Sequence, residues 1–189
     1  MTPKPLNEIK EFCLQLFDLI GANQDVARAC VNSVMHGTRF GVDSHGVRLV
    51  PHYIKVLETG RLNKNPSIQF NGLKPSSGLL DGDHSQGALP TYTAMDYAIE
   101  MAKKTGIAAV GVTNSSHFGP AGAYTLYAAK KNMIALAFCN SDSFVRLYDG
   151  AERFHGTNPI SMAVPTGGSD PWLFDMATSS LPFNRVELY

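Results

Sequence analysis

Past residue 76 the chain changes its rhythm, and that change limits the folds open to it more than any other feature. Apolar runs at Ser77–Asp81, 107–112 and 133–139 read as strands, and helical patterns at 90–103 and 121–130 fall between them. Strand runs separated by helices of about 10–15 residues mark an α/β architecture. Further short strands are predicted at 67–70, Ile160–Val164 and 172–175, the last two among turn-forming stretches rich in Gly, Pro, Asn and Ser. The N-terminal third is different. Apolar residues recur at helical spacing over 6–20, Gln24–Arg39 and 47–59, with Gly21 and Gly60 as stop signals. Val26, Ala29, Cys30, Ser33, Val34 and Gly37 share one face of the second helix, small enough for close packing. The expected organisation is a helical segment over 1–62 and an α/β domain over 63–189, with the linker near 63–76.

Charge and composition narrow the partners. Lys+Arg and Asp+Glu both number 16, so the formal charge is zero and no basic field is available for nucleic acid or an anionic membrane. The longest purely apolar run, 133–139, is far short of the ~20 residues of a membrane helix. No apolar segment follows Lys4 to make a secretory signal. Cys13, Cys30 and Cys139 form no C-x-x-C pair and read as reduced thiols in a cytoplasmic protein. His36, His52, His84 and His155 are scattered without metal-ligand spacing, so no metal is expected. Tyr53, Tyr92, Tyr97, Tyr124 and Tyr127 fall at helical positions and read as packing residues.

Chemistry concentrates in a few loops. The second helix runs into Gly41-Val42-Asp43-Ser44-His45-Gly46-Val47-Arg48. An imidazole titrates near pH ~6.5 and can give or take a proton; Ser44 could orient it, and the Arg48 fork suits a planar carboxylate. The structural alternative is that Asp43 or Ser44 caps the next helix and His45 is polar surface. His117 follows a strand, and Gly119-Pro120-Ala121-Gly122 opens the next helix. That is either an anion site at a helix N-terminus or a simple cap. No G-x-G-x-x-G dinucleotide fingerprint occurs. Ser141, at a strand end, is a ligand contact or a turn former. Thr157 and Asn158 could donate to a carboxylate, and Asp175 could bind a ribose hydroxyl.

The runs Phe40 to Arg48, His117-Phe118-Gly119-Pro120, Gly156-Thr157-Asn158-Pro159 and Asp175-Met176-Ala177-Thr178, in that order, resemble the malate/L-lactate dehydrogenase type-2 family. Its members include ureidoglycolate and sulfolactate dehydrogenases, 2,3-diketo-L-gulonate reductase and Δ1-piperideine-2-carboxylate reductase. The resemblance implies an α/β nicotinamide-cofactor domain that is not a Rossmann fold. It implies an NAD(P)H-dependent oxidoreductase that reduces a 2-oxo acid or cyclic 2-imino acid, or oxidises the matching 2-hydroxy acid. The preference between NADH and NADPH stays open. By the same resemblance the catalytic group is His45 with Ser44, and His117 is the alternative proton-transfer residue. The cofactor residues would be His117, Phe118, Gly119, Pro120, Ala121, Ser141, Asp175, Met176 and Ala177. Arg48, Thr157, Phe183, Asn184 and Arg185 would meet a small carboxylate substrate. Two departures bear on the substrate. Arg185 stands where the imine-reducing branch has an aspartate, and an arginine cannot accept a proton there. Arg48 lies three residues after His45, where other members have an arginine four after.

Family members are longer, so the chain reads as the N-terminal part of such an enzyme. It is expected to work in a homo-oligomer, a dimer, with a second segment or chain completing the fold. The alternative is a non-catalytic assembly partner for the rest of the enzyme.

Overall fold

Helical periodicity, hairpin turns and one crossover build two compact units, residues 1–119 and 120–189; the computed structural model describes residues 3–180. The division expected near residue 62 falls inside the first unit.

In the first unit, α1 (Leu6–Leu19), α2 (Gln24–Arg39) and α3 (Val50–Glu58) pack around Phe17, Val26, Cys30, Val31, Val34, Tyr53 and Leu57. Burying a side chain of Leu or Phe size contributes roughly 1.5–3 kcal/mol. Asn23 caps α2, its side chain accepting from the Asp25 amide at 2.7 Å. Every residue assigned to the inner face of α2 is buried there. Gly37 is bare because a side chain would strike the carbonyl of His45. The helix expected over 47–59 is broken: a 3₁₀ turn, Val47–Leu49, precedes α3. Thr38 Oγ1 takes the Val47 amide at 3.0 Å, and Pro51 sits in the first positions of α3, where its missing N–H is harmless.

The strand predicted at 67–70 lies instead at β1 (Gln69–Lys74), because it pairs antiparallel with β2 (Ser77–Asp81) across a tight Pro75-Ser76 turn. β2 continues through α4 (Ala88–Thr105) to β3 (Ala109–Thr113), which pairs with it in parallel. Parallel neighbours need such a crossover. Gly106, at φ 85°, ends α4 as a left-handed cap.

The second unit packs α5 (Gly122–Ala129) on an antiparallel sheet ordered β4 (Ala135–Phe138), β7 (Ile160–Val164), β8 (Trp172–Met176). Ala135, Ala163 and Ser161 face inward and are buried. Ser161 Oγ shares a 2.7 Å hydrogen bond with Thr125 Oγ1 of α5 and donates to the Phe174 carbonyl at 2.9 Å. The opposite face of the sheet is apolar and open. Phe138, Ile160 and Met176 form one exposed cross-strand row, and Trp172 stacks on Phe174 beside it. A small hairpin, β5 (Val145–Arg146) with β6 (Arg153–His155), was not legible in the sequence. Strands of two and three residues are too short to show alternation.

Among the described residues no helix is long and apolar enough to cross a membrane, and no group of three or more acidic, His or Cys side chains could hold a metal.

Candidate active site

The first unit brings together two histidines that stand 72 positions apart in the chain, with stacked rings whose centroids are 5.6 Å apart. His45 ends a 3₁₀ turn, Asp43–His45, immediately after α2. Its Nδ1 lies 3.0 Å from Ser44 Oγ, and Ser44 is buried. The carbonyl of His45 rests against bare Gly37, so the backbone of the turn is seated directly on the helix. Burial lowers the His45 pKa below its ordinary value, so the ring is neutral near pH 7.

His117 sits in the loop after β3. Its Nδ1 is 2.8 Å from the Tyr53 hydroxyl, and Tyr53 is 1% exposed. The loop backbone is pinned from two directions. Gln86 Nε2 donates to the His117 carbonyl at 2.9 Å, and Ser33 Oγ donates to the Phe118 carbonyl at 2.9 Å. Gly87 and Gly119 are close approaches: a side chain on the first would strike the Ser116 carbonyl, on the second Ser33 Oγ. Gly119 also has φ 79°, a left-handed conformation that favours glycine. His117 is solvent-accessible as a residue, yet protein crowds its imidazole. That crowding first, then the neighbouring His45 and His52, pushes its pKa down to about 4.

Gln86 and Tyr53 were missed as site residues. Tyr53 was read as packing, and its ring does pack; only its hydroxyl reaches His117. Gln86 follows a turn in which Asp83 and His84 are both left-handed, at φ 48° and 56°. Its Oε1 accepts from the Ala88 amide at 2.7 Å and from Cys30 Sγ at 3.1 Å. Nothing local in the sequence marks contacts to residues so distant. Arg48 is exposed on the 3₁₀ turn after His45.

In the second unit a smaller polar cluster holds the other predicted residues. Ser141 Oγ lies 3.2 Å from Thr157 Oγ1, and the Ser141 amide donates to Asn158 Oδ1 at 2.9 Å. Gly156 makes this possible, since a side chain there would strike Ser141. Thr178 Oγ1 donates to the Thr157 carbonyl at 3.0 Å. Asp175 Oδ2 accepts from the Gly122 amide, in the first turn of α5, at 2.7 Å. Surrounding protein raises the Asp175 pKa above the ordinary carboxylate range, and the Gly122 amide only partly offsets this. Pro120 and Ala121 are buried, Met176 ends β8 opposite Ile160, and Ala177 follows the strand. Phe183, Asn184 and Arg185 lie outside the described residues.

A family model described as malate/L-lactate dehydrogenase matches residues 5–189. The chain belongs to that family. It is 40% identical over 98% of its length to a malate dehydrogenase of Pyrococcus abyssi, covering 51% of that protein. A ureidoglycolate dehydrogenase (NAD(+)) of Escherichia coli is 30% identical over 88% of this chain, which covers 48% of it. Among solved structures, malate dehydrogenase from Entamoeba histolytica superposes with a TM-score of 0.95 at 33% identity, over 100% of this chain and 52% of its own. The chain therefore spans about half the length of the relatives it matches, and its mixed α/β architecture is the one those dehydrogenases share.

Proposed function

We propose that this chain carries the acid–base part of an NAD(P)-dependent oxidoreductase acting on a 2-hydroxy acid or the matching 2-oxo acid, with His45 as the proton-transfer residue. The observation that carries this reading is the pair of imidazoles, 5.6 Å apart, each held at Nδ1 by a hydroxyl. Relatives whose names specify malate or ureidoglycolate and NAD(+) support the reaction class.

A bound nicotinamide would supply the hydride acceptor for the carbon bearing the hydroxyl. Within the second unit, Ser141 suits a polar part of the cofactor and Thr157, in contact with it, the carboxylate substrate. Their hydroxyls meet at 3.2 Å, and the same unit exposes an apolar row of Phe138, Ile160 and Met176. His45 takes the hydroxyl proton at Nε2 while Ser44 holds Nδ1, and the same atom returns it in the reduction. Its lowered pKa leaves it neutral near pH 7, the state a base requires. Arg48, exposed beside it, supplies a fork for the substrate carboxylate.

In catalytically active protein, His45→Ala is expected to lower turnover by at least ~10² with cofactor binding retained. Unchanged turnover, with His117→Ala inactive, would hand the role to His117. Assays of 2-oxo acids and cyclic imino acids with NADH and with NADPH separate the substrate classes. The second reading is an assembly partner without activity of its own. Intact mass of purified material distinguishes the two: a co-purifying segment that restores turnover supports the enzyme.

A further inference from the structure

We propose that Tyr53 is a positioning residue that locks His117 as a neutral Nε2–H donor, so that His117 binds a substrate oxygen and does not carry the proton. This rests on the oxidoreductase reading for the oxygen's identity, but the hydrogen-bond argument is independent of it.

The direction of each bond follows from its neighbours. Gln86 Oε1 accepts from the Ala88 amide, so the other end of its side chain is the NH₂ group, which donates to the His117 carbonyl. Tyr53 is 1% exposed, and a buried hydroxyl must place its hydrogen. Its acceptor is His117 Nδ1 at 2.8 Å. Nδ1 therefore accepts, and in a neutral ring the hydrogen sits on Nε2. His117 is neutral because protein crowding, His45 and His52 disfavour its cation. Tyr53 cannot pass its proton onward, because burial and the nearby Cys30 raise its pKa far above the ordinary phenol. The Tyr53 bond is a static anchor. A neutral Nε2–H can donate a hydrogen bond to an alkoxide or carbonyl oxygen but cannot accept its proton.

The test is histidine nitrogen NMR on the full chain, with the His117 signals assigned by their loss in His117→Asn. In the wild type the long-range nitrogen shifts should show a bare Nδ1 and a protonated Nε2 from pH 7 down to about 5. Tyr53→Phe, which keeps the ring, should convert this to a mixture of tautomers and move the His117 titration upward toward the ordinary value. A wild-type His117 protonated at Nδ1 would overturn the proposal without any variant; so would an unchanged tautomer in a folded Tyr53→Phe. These readouts need no turnover, so they stand apart from any failure of the proposed reaction. In active protein, Tyr53→Phe should raise KM for the hydroxy acid by about 3–10-fold, with kcat changed less. A fall in kcat of ~10² or more would instead make His117 the proton carrier.

Discussion

The two units handle their polar groups in opposite ways. The first closes them in: Cys30, Ser33, Tyr53 and Gln86 are buried, each with a partner, around a histidine loop pinned by its own carbonyls. The second leaves its candidate residues on loops, where exposed Ser141 meets Thr157, and one face of its sheet is open and apolar. Buried polar groups cost most when a partner is removed, because the orphan stays out of water. Exposed ones exchange a lost partner for solvent. A closed cluster therefore couples chemistry to folding, while an open one can lose a contact and keep its fold.

The largest expected effect follows from the closed cluster. Gln86→Ala strips partners from the Ala88 amide, the Cys30 thiol and the His117 carbonyl at once. It should destabilise the chain by roughly 2–4 kcal/mol in urea unfolding. A cost no greater than that of Ser141→Ala would break the contrast.

Acid should also act on the first unit before the second. The His117 pKa is about 4 in the folded chain against 6.5 when unfolded, so the unfolded state binds the proton first. Stability is then fully present above pH ~6.5 and is lost as pH falls through that window toward 4; the lowered pKa of His45 acts in the same direction. Urea midpoints measured at pH 7, 5.5 and 4 should fall more steeply in the wild type than in His117→Asn. Equal slopes would show that the imidazole is not held neutral.

The smallest effect belongs to the open cluster. Ser141→Ala should leave the urea midpoint within about 0.5 kcal/mol of wild type while weakening NAD(P)H binding in cofactor titrations. Unaltered cofactor affinity would remove Ser141 from the site.

The sequence was informative where structure is local. The bounds of α2, β2 and β7 match the periodicity residue for residue, since each is set by alternation or by a face of the helix. β1 slipped because its register is dictated by β2 through a Pro75-Ser76 turn, which lacks the Asn-Gly signature of tight hairpins. The loop carrying His45 was legible as a loop, but its histidine partner comes from a different strand end. Tyr53 and Gln86 stand 33 positions apart, and only tertiary packing puts both against His117. Asp175 was read for its chemistry alone, and its contact with the Gly122 amide of α5, 53 positions away, shows only in the fold.

Gly37 has a consequence for how this chain tolerates change. It has no functional group, yet the His45 carbonyl occupies the space its side chain would fill. Any larger residue must push the turn off α2 and carry the imidazole with it. A screen of random substitutions scored by lost activity would thus rank a silent helix position beside the histidine itself. Sorting the two would take a fold measurement on each variant, since Gly37→Ala moves the reactive group and His45→Ala deletes it.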